Sequence, residues 1–170
     1  MTGMNRRSWL AYGLWAAAGL AAYFWLARHP LWTLLPYARA LNFLLGLHFY
    51  ETPLGYEAAG LGFAITPSCS GVNLFASLYA VLLYAVPGRY PVGFTRGLAS
   101  TACLGSALLI GFLATLARIL LSLPFCGSPR FKLIHTVISL CIYFGTVLCA
   151  YGLSQKVIGR LQRGKEQIIG

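Results

Sequence analysis

Long apolar runs alternate with short polar or basic breaks along the whole chain. The first run, Trp9 to Ala27, closes at Arg28-His29-Pro30 and predicts a helix long enough to cross a bilayer at about 1.5 Å per residue. It exceeds a signal-peptide core and lacks a small-residue cleavage site, so a membrane helix is the better reading. Leu31 to Tyr50 is a second run interrupted by Pro36 and Arg39; it either spans or lies on the surface. Glu51 to Thr66, with Gly55, Gly60 and Gly62, predicts an exposed, partly extended loop. Pro67 to Val86, Gly97 to Leu121 and about Lys132 to Leu153 are three further spans. A turn from Pro87 to Arg96 and a polar connection from Leu123 to Phe131 separate them, and a basic tail follows over 154–170.

The pattern predicts an all-α fold: one polytopic transmembrane bundle over 1–170, of about five spans or alternatively four, with a short tail over 1–8. Composition agrees. At 58% hydrophobic and 9% charged residues, with Glu51, Glu57 and Glu166 the only acids, a soluble globule would lack polar surface. The net charge of +10 sits in short clusters between apolar runs, as orienting loop charges do, so membrane lipid and not nucleic acid is the expected partner of the basic residues. Five cysteines form no CxxC and no metal-ligand spacing, and neither metal nor cofactor is expected.

The tail with Lys156, Arg160, Arg163 and Lys165 predicts a cytoplasmic C-terminus. Counting back, the loop with Arg89 and Arg96 is inside. Thr66 to Gly71 and the 123–131 connection are outside, whichever way Leu31 to Tyr50 is read. The charge pattern thus puts the Thr66 to Gly71 stretch on the extracytoplasmic face of the membrane.

That outer end carries the candidate chemistry. Pro67 and Ser68 read as a helix start, which puts Cys69 in the first turn, where the macrodipole and free amides favour a thiolate. Arg118 lies near the outer end of its span and His135 near the outer start of the last one. An intramembrane arginine faces either a functional cavity or, by snorkelling, the headgroups. Three spans thus bring Cys69, Arg118 and His135 to similar depth. The trio fits acyl transfer, with Cys69 as nucleophile, His135 as general acid and base, and Arg118 stabilising the oxyanion or thiolate. Asn73, four residues after Cys69, is expected on the same helix face, where it either orients substrate or bonds a neighbouring helix.

Pro67-Ser68-Cys69-Ser70-Gly71-Val72-Asn73, Arg118-Ile119 and the later His135 resemble the motif set of the exosortase/archaeosortase family of membrane transpeptidases, most of all its compact exosortase K subgroup. The resemblance covers about Leu41 to Tyr151. It implies a thiol protease or transpeptidase that acts on exported proteins bearing a C-terminal sorting signal of the PEP-CTERM kind: a short motif, a transmembrane helix and a basic tail. It places the nucleophile on Cys69, the arginine on Arg118 and the histidine on His135, supported by Ser70, Gly71 and Asn73. It also favours Leu31 to Tyr50 as a span. One position departs from the pattern: many members carry asparagine three residues before the arginine, where this chain has Thr115.

Two other classes fit parts of the sequence: a thiol-redox protein pairing Cys69 with Cys126, and a non-enzymatic assembly subunit packed through Gly105, Ser106 and Gly111. Thiol labelling from the outer side separates them. One low-pKa reactive thiol is the result expected of the transpeptidase, an oxidised Cys69–Cys126 pair that of the redox protein, and inert thiols that of the subunit.

Overall fold

The computed structural model describes residues 6–60, 62–85 and 94–169, so most of the predicted turn at 87–96 and of the N-terminal tail lies outside the described residues. The chain runs α1 (Arg6–Arg28), α2 (Pro30–Leu45), β1 (Phe49–Thr52), β2 (Gly55–Ala58), β3 (Phe63–Ile65), a 3₁₀ turn (Pro67–Cys69), α3 (Val72–Ala85), α4 (Phe94–Ser122), a second 3₁₀ turn (Leu123–Phe125) and α5 (Phe131–Ile169). It is mostly helical, as the apolar runs predict. It is not all-α, because the segment expected to be an exposed loop folds into a three-stranded antiparallel sheet in the order β1-β2-β3.

Local chemistry accounts for most of the boundaries. Arg28 ends α1 where its charge complements the carbonyl end of the helix, and Pro30 opens α2 at the position that needs no N–H. Gly46, at φ +66°, takes the left-handed cap of α2 and donates its N–H to the Asn42 carbonyl at 2.8 Å. At 16 residues α2 is about 24 Å long, which falls short of the roughly 30 Å hydrocarbon thickness and well short of the predicted end at Tyr50. α5 continues past Leu153 to Ile169, since Lys, Arg, Gln and Glu in the tail are good helix formers.

Two packed clusters organise the chain. In the first, Leu34, Tyr37, Ala38 and Leu41 lie at helical spacing on one face of α2, with Tyr56, Ala58, Phe63 and Ile65 of the sheet, Cys69, and Leu116 and Ile119 of α4. The sheet joins this face because Tyr56 and Ala58 point one way while Glu57 between them stays half exposed. In the second, α3 packs between α1, α4 and α5. Its Leu78 is fully buried, and the Tyr79 ring lies against Gly19 of α1, where any side chain would collide with it.

The outward faces are apolar: Leu14, Phe24, Leu109, Leu113, Phe144 and Leu148 are all exposed. Among the described residues three helices are long and apolar enough to cross a membrane: Pro67–Ala85, Gly97–Phe125 and Phe131–Lys156. Only 6% of the apolar window in the last is buried inside the protein, so lipid is the natural cover for the rest.

Leu34→Ala removes a side chain with no exposed surface from the cluster that encloses Cys69. A stability loss of about 2–5 kcal/mol is expected, together with faster alkylation of Cys69. Melting and labelling rates of the purified chain in detergent check both; an unchanged labelling rate contradicts the enclosure.

Candidate functional site

The end of the bundle where α3 begins, α4 stops and α5 starts holds Cys69, Ser70, Gly71, Asn73, Arg118 and His135. Cys69 does not lie in the first turn of α3. Pro67 to Cys69 forms a separate 3₁₀ turn, with the Cys69 N–H donating to the Thr66 carbonyl at 2.8 Å, and α3 begins only at Val72. The break is Gly71, at φ +67°, and the turn has no side-chain cap. A left-handed residue reverses the chain direction, so the helical phase is not carried from Cys69 to Asn73. Asn73 is exposed, whereas the Cys69 thiol is turned into the α2 cluster and is 7% exposed, so the predicted common face does not exist.

Around the thiol the polar contacts are sparse. Thr66 Oγ1 lies 4.0 Å from Cys69 Sγ and 2.7 Å from Ser68 Oγ. Cys126 packs against the same cluster, and all five cysteines are free. The backbone of the turn is held from two sides. Tyr37 of α2 donates its hydroxyl to the Ser70 carbonyl at 3.1 Å and stacks on Phe112 of α4, with ring centroids 5.0 Å apart. Arg118 of α4 donates Nη2 to the Ser68 carbonyl at 3.5 Å, while its buried Nε has no hydrogen-bond partner.

Arg118 is thereby aimed at the backbone immediately before Cys69. One turn further along α4, Ser122 is 1% exposed; it donates to the Arg118 carbonyl at 2.7 Å, and its oxygen lies 3.0 Å from His135 Nδ1. The His135 ring also stacks on Phe131, with centroids 5.6 Å apart. Cys69, Arg118 and His135 therefore share one end of the bundle as expected, connected through Ser68 and Ser122 and not by direct hydrogen bonds to one another.

A cavity of about 390 Å³ opens beside this end. Ser68, Ser70, Gly71, Asn73 and Arg118 line it, together with Tyr23 of α1 and Ser139 and Tyr143 of α5. Asn73 accepts from the Tyr23 hydroxyl at 3.3 Å, so of its two expected roles the bond to a neighbouring helix is made, from within the cavity lining. Tyr143 bonds Ser77 of α3 lower down. The cavity lining holds the backbone on both sides of Cys69; neither Cys69 nor His135 is part of it. No cluster of three or more His, Cys, Asp or Glu suited to a metal ion occurs among the described residues.

Sequence reasoning missed Tyr37 and Ser122. Ser122 had a signal: a small hydroxyl residue four positions after the intramembrane arginine, on the same helix face. Thr115, where the family pattern has asparagine, is buried against Gly71. Comparison with protein-family models, with curated proteins and with solved structures finds no match.

A Cβ on residue 71 would lie 2.1 Å from Thr115 Oγ1 at a backbone conformation unsuited to L side chains. Gly71→Ala is expected to destabilise the chain, and adding Thr115→Ala to relieve the clash but leave a backbone penalty of about 1–2 kcal/mol. Thermal melts of the three variants check this; full rescue by Thr115→Ala contradicts the backbone contribution.

Proposed function

We propose that this chain is a membrane-embedded cysteine transpeptidase, a thiol protease of the exosortase kind, acting on the C-terminal sorting signals of exported proteins. The observation that carries the reading is the path along α4. One helix holds Arg118 against the carbonyl that precedes Cys69 and, one turn on, holds Ser122 against His135, beside a cavity whose lining includes Arg118, Ser68, Ser70 and Asn73. Charged and ionisable groups at such a depth are expensive, and their convergence on one end favours a site over incidental placement.

In this reading the site faces the extracytoplasmic side of a bacterial inner membrane, with the basic C-terminal tail inside. α1 and the three apolar helices cross the bilayer, and α2, short as it is, either completes a fifth crossing at a tilt or lies at the interface under the sheet. The substrate's own transmembrane segment brings its scissile peptide to the cavity in the plane of the membrane.

The Cys69 thiolate attacks the peptide carbonyl carbon, forming a C–S bond. The oxyanion that develops is held by the Arg118 guanidinium, whose charge is fixed and whose Nε proton is not otherwise engaged. The C–N bond then breaks, His135 gives the amine the proton it took from the thiol, and a thioester remains on Cys69. An acceptor nucleophile, deprotonated by His135, attacks that thioester and regenerates the thiol. Since Sγ lies behind the cavity wall, the Thr66–Ser70 turn has to shift to present it.

Co-expression with a candidate C-terminally anchored substrate tests the reading. Processing is expected with the wild-type chain, and Cys69→Ala, Arg118→Ala and His135→Ala, each shown to accumulate in the membrane, should each lower it by at least about 10²-fold. Cleavage that persists in Cys69→Ala rules out the thioester.

A further inference from the structure

We infer that Ser122 is a positioning residue that fixes His135 as its Nδ1–H tautomer and so leaves the Nε2 lone pair free to take a proton; the inference rests on the reading of His135 as the acid and base of the site. It follows from counting protons. A serine hydroxyl has one proton and can accept through its oxygen. The Ser122 proton is committed to the Arg118 carbonyl, at 2.7 Å and four residues back on the same helix. His135 Nδ1 lies 3.0 Å from the same oxygen, and the only bond that pair can form is donation from Nδ1–H. With Nδ1 carrying the proton of the neutral ring, Nε2 carries the lone pair.

Burial makes the assignment firm. Ser122 is 1% exposed, so no water competes for its oxygen, and an Nδ1 lone pair pointed at an oxygen lone pair in that setting would leave two acceptors facing each other. The stacking of the ring on Phe131 holds its plane, which leaves the hydrogen bond to choose the tautomer. The neutral histidine side chain in water prefers the Nε2–H form, so a base that must present Nε2 needs a partner that reverses this preference. Ser122 also remains a suitable partner after Nε2 is protonated, because Nδ1 is a donor in both states.

The arrangement has a second consequence. The proton acceptor of Ser122 is the backbone carbonyl of Arg118, so the orientation of the base is tied to the helical turn that carries the oxyanion-binding guanidinium. Movement of that turn shifts both groups together.

The test uses the full chain in lipid nanodiscs with isotope-labelled histidine. Of the three histidines the His135 signal is identified by its loss in His135→Gln, and ring ¹³C and ¹⁵N shifts report the tautomer at a pH where the ring is neutral. The wild-type chain is expected to show Nδ1–H at His135. Ser122→Ala is expected to move it toward Nε2–H and to lower substrate processing by at least about tenfold, as loss of an orienting partner does. Ser122→Thr, which keeps the hydroxyl, should restore both. An Nε2–H ring in the wild-type chain, or a tautomer unmoved by Ser122→Ala, overturns the inference, and the wild-type measurement requires no variant to fold. If the tautomer behaves as expected while Cys69→Ala still processes substrate, the positioning by Ser122 stands and the transpeptidase reading is what fails.

Discussion

The contact between Gly71 and Thr115 sets the geometry of the whole site end. Gly71 takes a left-handed conformation that only glycine adopts cheaply, and the absent side chain lets the Thr115 hydroxyl approach to a distance no Cβ would tolerate. That contact fixes the phase of α4 against the turn that carries Cys69. Thr115, Arg118 and Ser122 lie at i, i+3 and i+7, one stripe of the helix. Once Thr115 is seated on Gly71, Arg118 falls beside Ser68 and Ser122 beside His135 without any further device. Phe112, one turn earlier, meets Tyr37, so the same stripe also anchors α2.

Polar groups along this stripe are satisfied in the way a low-dielectric setting demands. Ser122 returns its proton to its own helix at Arg118, and the Tyr37 hydroxyl is used on the Ser70 carbonyl. Thr115 Oγ1 and Arg118 Nε are the exceptions, buried and without a hydrogen-bond partner. Unsatisfied buried polar groups cost free energy, of order 1–3 kcal/mol each, and of the three such atoms among the described residues Ser100 Oγ lies near the other end of α4 while these two fall within one turn at the site. On the proposed function this is intelligible for Arg118: a guanidinium satisfied by the ground state would have less to offer a developing oxyanion.

Much of the fold was legible in the sequence, and what escaped has physical causes. The apolar runs located α1, α3, α4 and α5 because each is bounded by Pro, Gly or charge, and depth counting alone placed Cys69, Arg118 and His135 at one end. The sheet was not read, although Phe49 to Ile65 carries the alternation of short strands; its glycines and the two glutamates drew attention to turns and exposure, while Tyr56, Phe63 and Ile65 needed the face of α2 to make them core. The Pro-Ser pair before Cys69 is a sound helix start, but Gly71 interrupts the helix two residues later, and one positive φ separates the face of Asn73 from that of Cys69. Ser122 escaped because its meaning depends on α5, thirteen positions away along the chain and one hydrogen bond away in space.

Enclosure of the thiol bears on what a transpeptidase has to achieve. A thioester is open to water as well as to an acceptor amine, and Cys69 shares its buried cluster with Leu34, Leu41, Ile65 and Ile119, each with almost no exposed surface. These four side chains carry no group that holds or activates a water molecule, and the Thr66 hydroxyl, 4.0 Å from Sγ, is a polar group beside the sulfur. On the proposed reading water and acceptor then compete from the cavity side, which Asn73, Tyr23 and Arg118 line. The small sheet and short α2, which contribute no catalytic group of their own, would in that case decide the fate of the intermediate: transfer is favoured as long as they stay closed over the sulfur, and loosening them exposes a second approach through which hydrolysis gains.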